Sequence, residues 1–180
     1  MNNIIFRRPK EDESELINEF FELVIRDTFE RNEISDLVET LEEEIKSKRK
    51  CLNEDFESMG MNRYFLIAML DDRIVGTIEY GPSNELITDC TNGELKDLPE
   101  IGTVYVHPEY QRKGIGNLML LNIFKKMNSK GIDEFCFDSG YKSAQAIWNN
   151  KFGKPQYHLV NYWGEGADLM VWRLNLKDLI

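Results

Sequence analysis

Two rhythms of apolar residues alternate along this chain of 180 residues. Ile34, Leu37, Val38, Leu41 and Ile45 recur at intervals of three and four, which predicts one stripe of an amphipathic helix. Ahead of them Leu16, Phe20, Leu23 and Val24 keep the same rhythm, and the acids from Glu11 to Glu15 suit the positive end of a helix start. Tyr64 to Leu70 and Ile74 to Tyr80 are β-rich runs. Asp71-Asp72 between them is a tight-turn signal, so an antiparallel hairpin is predicted. Shorter apolar runs predict strands at 3–8, ended by Pro9, and at 101–106, ended by Pro108. The segment 81–99 carries Pro82, Asn84, Asn92, Gly93 and Pro99 and reads as a long polar loop.

Further along, Ile115 to Met127 is a strongly apolar helix that should end near Gly131. A strand is predicted at 134–138, a helix from Ser143, a plausible cap, to Phe152, and two last strands at 156–160 and 169–174. The order β-α-α-β-β-β-α-β-α-β-β predicts an α/β fold with a mixed, mostly antiparallel central sheet and helices on both faces. No repeat or linker interrupts it, so one domain over 1–180 is expected.

Composition narrows the class. At 42% hydrophobic and 30% charged, the chain is globular rather than disordered. No apolar run approaches the ~20 residues needed to span a bilayer. Met1 to Lys10 lacks the apolar core and cleavage site of a secretory signal. Cys51, Cys90 and Cys136 are odd in number and far apart, which argues against a disulfide framework or a zinc site and for a reducing cytoplasm. No metal is expected. The net charge of −10 is concentrated: residues 11–58 hold 17 Asp/Glu against 6 Lys/Arg. Nucleic acid is a poor partner for such a surface and a cationic substrate a good one. Two helices with solvated acidic outer faces are the simpler account of it.

The segment richest in chemistry runs from Val104 through Tyr105, Val106, His107, Pro108, Glu109, Tyr110, Gln111, Arg112, Lys113, Gly114 and Ile115 to Gly116. A strand enters a loop that becomes a buried helix through two glycines. Amides at a helix start lack partners within the helix and lie at the positive end of its dipole, so a diphosphate suits that position. Arg112 and Lys113 add positive charge beside it.

This stretch resembles the acyl-CoA loop of the GCN5-related N-acetyltransferase superfamily, whose signature is Q/R-x-x-G-x-G/A after a strand. Gln111, Gly114 and Gly116 match its three fixed positions, and the order of elements is similar along nearly the whole chain. The resemblance implies acetyl-CoA as co-substrate, its pyrophosphate held by amides of residues 112–117, thus Arg112, Lys113, Gly114, Ile115, Gly116 and Asn117. It implies that the strand backbone at Val104, Tyr105 and Val106 meets the pantetheine, in a gap where the strands at 101–106 and 134–138 splay. The following helix resembles the family's N-x-x-A-x-x-x-Y-x-x-x-G-F. Ala144 matches, Tyr141 replaces the asparagine, Trp148 the tyrosine, and Phe152-Gly153 reverses the ending. Trp148 is expected against the pantetheine, with plain helix packing as the competing account.

In that family a residue six before the strand's end sometimes acts as general base, and Glu100 fits that place. Glu79 is the second candidate and water a third. His107 and His158 are expected to be structural, since no carboxylate motif stands near His158. Tyr157, Tyr162, Trp163 and Trp172 are expected to pack, although Trp163 beside two glycines suits the exposed last hairpin through which such proteins often dimerise. The expected activity is acetyl transfer to a primary amine. The alternative is a non-catalytic acyl-CoA-binding or protein-interaction module on the same fold.

Overall fold

The computed structural model describes residues 3–179. Met1, Asn2 and Ile180 lie outside it, and with them the first two positions of the Met1–Lys10 segment and the last position of the expected 1–180 domain. The elements are β1 (Ile5–Arg7), α1 (Ser14–Arg31), α2 (Val38–Glu57), β2 (Tyr64–Leu70), β3 (Arg73–Pro82), α3 (Glu85–Cys90), β4 (Pro99–Val106), α4 (Ile115–Ser129), β5 (Glu134–Ser139), α5 (Lys142–Phe152), β6 (Tyr157–Leu159) and β7 (Leu169–Asn175). The strands follow the hydrogen-bond order β1-β2-β3-β4-β5-β7-β6. β4 meets β5 in parallel, at Glu100 opposite Cys136, while β1–β2, β2–β3, β5–β7 and β6–β7 are antiparallel. This is the mixed, mostly antiparallel sheet the sequence predicts.

The chain forms two compact units: the residues through Gly81 with Gly102–Lys130, and Pro82–Ile101 with the residues from Gly131 onward. In the first unit, β2 and β3 are buried on both faces, which explains their near-continuous apolar runs. Phe65 and Tyr105 each meet Phe21 of α1 on one face. On the other, Lys126 of α4 lies over Tyr64, and Gly76 leaves room for Met119, whose sulfur would stand 2.6 Å from a Cβ at that position. Asp71 and Asp72 turn the β2–β3 hairpin with both φ angles positive, at 46° and 63°. That is the conformation a two-residue hairpin requires, and Asp tolerates it better than most residues.

In the second unit, Ile87, Leu95, Cys136, Leu169 and Val171 form one buried cluster. Phe137, Trp148, Phe152 and Trp172 form an aromatic one, in which Phe137 stacks on Trp172 at 4.9 Å.

Three expectations change. Helix α2 starts at Val38, not at Ile34. Asn32 and Glu33 instead end α1, with Glu33 at φ +58° and Ile34 N donating to Phe29 O at 3.0 Å. Ile34 is thus the apolar residue that closes a Schellman cap, and a Glu at the left-handed position hides the signal usually given by glycine. The 81–99 loop contains α3, capped by the Asn84 side chain accepting from Ile87 N at 2.7 Å. Ser143 is not a cap, because α5 begins one residue earlier, after Tyr141.

Candidate active site

β4 ends where His107 N donates to Val75 O at 3.0 Å, and Pro108–Tyr110 makes a 3₁₀ turn. His107 caps that turn by accepting from Glu109 N at 3.3 Å and packs on Phe20 and Tyr110, a structural role as expected. Gln111 is a brace. Its Nε2 donates to Val106 O at 3.2 Å, and its Oε1 accepts from Arg31 Nη1 at 2.7 Å. The signature glutamine therefore ties the end of β4 to the C-terminal end of α1. Arg112 and Gly114 both have positive φ, at 58° and 82°, and Gly114 is the residue before α4.

A Cβ on Gly114 would meet nothing within 4 Å. This glycine is therefore required by backbone conformation rather than by crowding. A Cβ on Gly116 would touch Val106 at an ordinary 3.8 Å, so no internal contact demands glycine there. The first i→i−4 bond of α4 runs from Leu118 N to Gly114 O. The amides of Ile115 and Gly116 lie ahead of it, directed out of the helix start. Arg112 is exposed, and Lys113 Nζ sits 5.0 Å above the Tyr110 ring. The cluster is cationic and presents main-chain donors.

Behind β4, within the same unit, lies a buried polar chain. Thr103, fully inside the strand, has φ +51°, rare for a β-branched residue. Its carbonyl accepts from Thr77 Oγ1 at 3.0 Å, and its hydroxyl donates to Glu79 Oε1 at 3.3 Å. Arg63 Nη1 donates to Glu79 Oε2 at 2.6 Å, and Arg63 Nε to Glu54 Oε2 at 2.8 Å. Burial pushes the Glu79 carboxyl above the usual glutamate range against the pull of Arg63. Cys51 nearby is pushed up to about 11, chiefly by burial and then by Glu79. Tyr105 of β4 donates from its hydroxyl to Glu44 Oε1 at 2.8 Å. The sequence offers one signal for this network, a charged Glu79 inside an apolar strand.

Val104, Tyr105, Val106 and residues 111–117 thus share one unit, joined by the Gln111 brace. Glu100 and Trp148 belong to the other. Glu100 accepts from Asn84 N at 2.7 Å and Asn84 Nδ2 at 3.0 Å, anchoring the start of α3. Trp148 is half-buried, edge-on to Phe137 at 5.3 Å and stacked on Phe152 at 5.8 Å. Two surroundings differ from expectation. His158 Nε2 lies 2.6 Å from Asp168 Oδ2, a partner ten residues on that arrives across the last hairpin. Trp163 and Tyr162 do not pack into the core: Trp163 is 56% exposed and Trp172 1%. The reason is that Trp163 stands at the hairpin tip, where glycines 164 and 166 carry positive φ. No helix among the described residues is long and apolar enough to cross a membrane.

The sheet, the glycine-bearing helix start and the strand feeding it define an acetyltransferase architecture. Residues 18–153 match the family model described as Acetyltransferase (GNAT) family, and the chain belongs to that family. Among solved structures it resembles a GNAT-family protein from Desulfovibrio desulfuricans (17% identity, TM-score 0.71, 97% of this chain and 99% of that one). It resembles PaiA N-acetyltransferase from Thermoplasma acidophilum in complex with coenzyme A (23%, 0.67, 96% and 99%). It also resembles aminoglycoside 6'-acetyltransferase type Ii (16%, 0.63, 96% and 97%). At these identities the likeness is one of fold. No curated protein matches the chain at significant similarity.

Proposed function

We propose that this chain is an N-acetyltransferase that moves an acetyl group from acetyl-CoA to the primary amine of a cationic small molecule or peptide. The observation that carries the reading is the start of α4. A left-handed Gly114, amides directed outward and exposed Arg112 together suit a pyrophosphate. The open space at the Gly114 Cα face fits such a group, because nothing of the chain fills it. The donor would be held by Arg112, Lys113, Gly114, Ile115, Gly116 and Asn117, and along the backbone of Val104, Tyr105 and Val106. The coenzyme A complex of the Thermoplasma relative supports the same ligand.

In the proposed reaction the neutral amine attacks the thioester carbonyl, the C–S bond breaks, and the thiolate leaves as CoA. With a thiol pKa near ~8.5, it leaves without prior protonation. The chain's part is to place both reactants, to polarise the carbonyl through a strand amide such as that of Val106, and to accept the amine's proton. Glu100 is the proposed acceptor. A carboxylate offers about four acceptor directions, so the two bonds from Asn84 do not bar that role. The acidic stretch 11–58 supports a cationic acceptor.

The test is release of CoA thiol in the presence of polyamines, aminoglycosides, amino acids and peptide N-termini. We expect turnover with a cationic amine and a rate that falls with added salt. Binding of acetyl-CoA without turnover of any amine would favour the non-catalytic module, a reading supported by tryptophan at 148. An anionic best substrate would refute the charge argument.

A further inference from the structure

We propose that Thr77 and Glu79 are positioning residues that hold β4 kinked at Thr103 and so fix the backbone of Val104–Val106. The proposal rests on the acetyltransferase reading for what the strand receives, not for the kink.

Positive φ is unfavourable for any residue with a branched Cβ, and such strain persists only where the surroundings over-determine it. Thr103 is 4% exposed, so water cannot take over its polar groups. Two side chains of β3, two positions apart and therefore on one face, grip it from the same side. Thr77 holds the carbonyl at 3.0 Å and Glu79 the hydroxyl at 3.3 Å. Glu79 is itself fixed. Arg63 takes its other oxygen at 2.6 Å and is in turn held by Glu54 of α2 at 2.8 Å. Room for the guanidinium comes from Gly81, where a Cβ would lie 2.6 Å from Arg63 Nη1.

The kink is thus the buried end of a chain Glu54–Arg63–Glu79–Thr103 that starts at the partly exposed Glu54. Straightening β4 would leave the Thr77 hydroxyl, the Thr103 carbonyl and one Glu79 oxygen buried with a partner lost. A residue at positive φ also redirects the peptide groups that follow it, and those are the groups of Val104 to Val106. Glu79 is 2% exposed and ion-paired to the buried Arg63, so it acts through Thr103.

Three variants test this, each checked for a folded state by far-UV circular dichroism and urea unfolding. Backbone NMR shifts of residue 103 report its φ without any ligand, and calorimetry reports acetyl-CoA affinity. Thr77→Val should weaken binding about tenfold through one lost buried bond. Thr77→Val with Thr103→Val removes both anchors at constant shape. It should abolish the left-handed shifts and weaken binding by about 30-fold or more. Thr77→Val with Thr103→Gly should bind within about threefold of the native chain, because glycine takes positive φ without anchors. The proposal is overturned by left-handed shifts surviving in the double valine variant. It is equally overturned by loss of the kink with affinity unchanged, or by a glycine variant no better than the valine one. A native chain that binds no acetyl-CoA would sink the acetyltransferase reading instead, and the shifts alone would then decide the clamp.

Discussion

Glu100 accepts two hydrogen bonds from one residue, Asn84, through its backbone N at 2.7 Å and its side-chain Nδ2 at 3.0 Å. The proposed proton acceptor is therefore also the anchor of α3. Both roles can be separated. Glu100→Gln should lower kcat/KM by about 100-fold at pH 7 and recover partly at high pH, where more of the amine is already neutral. It should also lower stability by about 1–2 kcal/mol, because an amide group replaces an acceptor oxygen. Asn84→Ala should reproduce the stability loss and not the rate loss. A near-normal rate in Glu100→Gln would leave water as the acceptor, because Glu79 is buried and held on both oxygens by Arg63 and Thr103.

Gly114 separates backbone strain from crowding. With φ at +82° and empty space where a Cβ would go, Gly114→Ala should fold with a loss of about 1–2 kcal/mol from the left-handed conformation alone. Gly114→Asp adds a negative charge at the helix start. Acetyl-CoA at ~100 times its dissociation constant should stabilise the native chain by about 2.7 kcal/mol, and this variant should show no such gain. An undiminished melting shift in Gly114→Asp would place the donor elsewhere.

Trp148 stands where the family's tyrosine would be, and its contacts are aromatic: Phe137 and Phe152. An indole N–H donates a hydrogen bond but is no acid near neutral pH. Trp148→Phe should keep kcat within ~10-fold, or about 1.4 kcal/mol. Trp148→Ala should lose about 2–4 kcal/mol of stability by opening a gap beside Phe137. A loss of ~1000-fold in the Phe variant with donor affinity intact would give the indole N–H a chemical role.

The sequence carried the hairpin, the helix-start loop and the order of elements because each is written locally, in Asp71-Asp72, in Gln111 to Gly116, and in apolar spacing. Helix α3 escaped because its polar cap and short length resemble a loop. The left-handed Glu33 and Thr103 escaped because neither is glycine. Arg63 against Glu79, Thr103 against Glu79 and Tyr105 against Glu44 are separated by 16, 24 and 61 positions. Pairs that distant obey no period, so the candidate site was legible in its loop and not in its support.

Acid should expose a second ion pair. Arg7 holds the Glu13 carboxyl below the usual glutamate range through their hydrogen bond, against the effect of burial, and Lys10 N adds a further bond. Below about pH 4.3, the ordinary glutamate value, the folded chain binds fewer protons than the unfolded one. The stability this pair contributes is therefore fully present above that value and is lost as pH falls through the lower folded value. Arg7→Leu should flatten that part of the acid slope. Urea midpoints between about pH 6 and pH 2.5 measure it, and parallel curves for the two chains would show that Glu13 is not the group responsible.

The two-residue turn at Asp71-Asp72 also ranks the contacts of the molecule in time. Closing it brings Leu70 onto Arg73 and lets the paired strands zip from there, an event of about 1–10 μs for a hairpin. Closure entropy grows with the length of chain enclosed. The grip of Glu79 on Thr103, and still more that of Glu44 on Tyr105, comes at a higher entropic toll. A chain that has just formed its hairpin already has two strands of its sheet and none of its kink, so competence to receive a ligand is among the last properties this protein acquires as it folds.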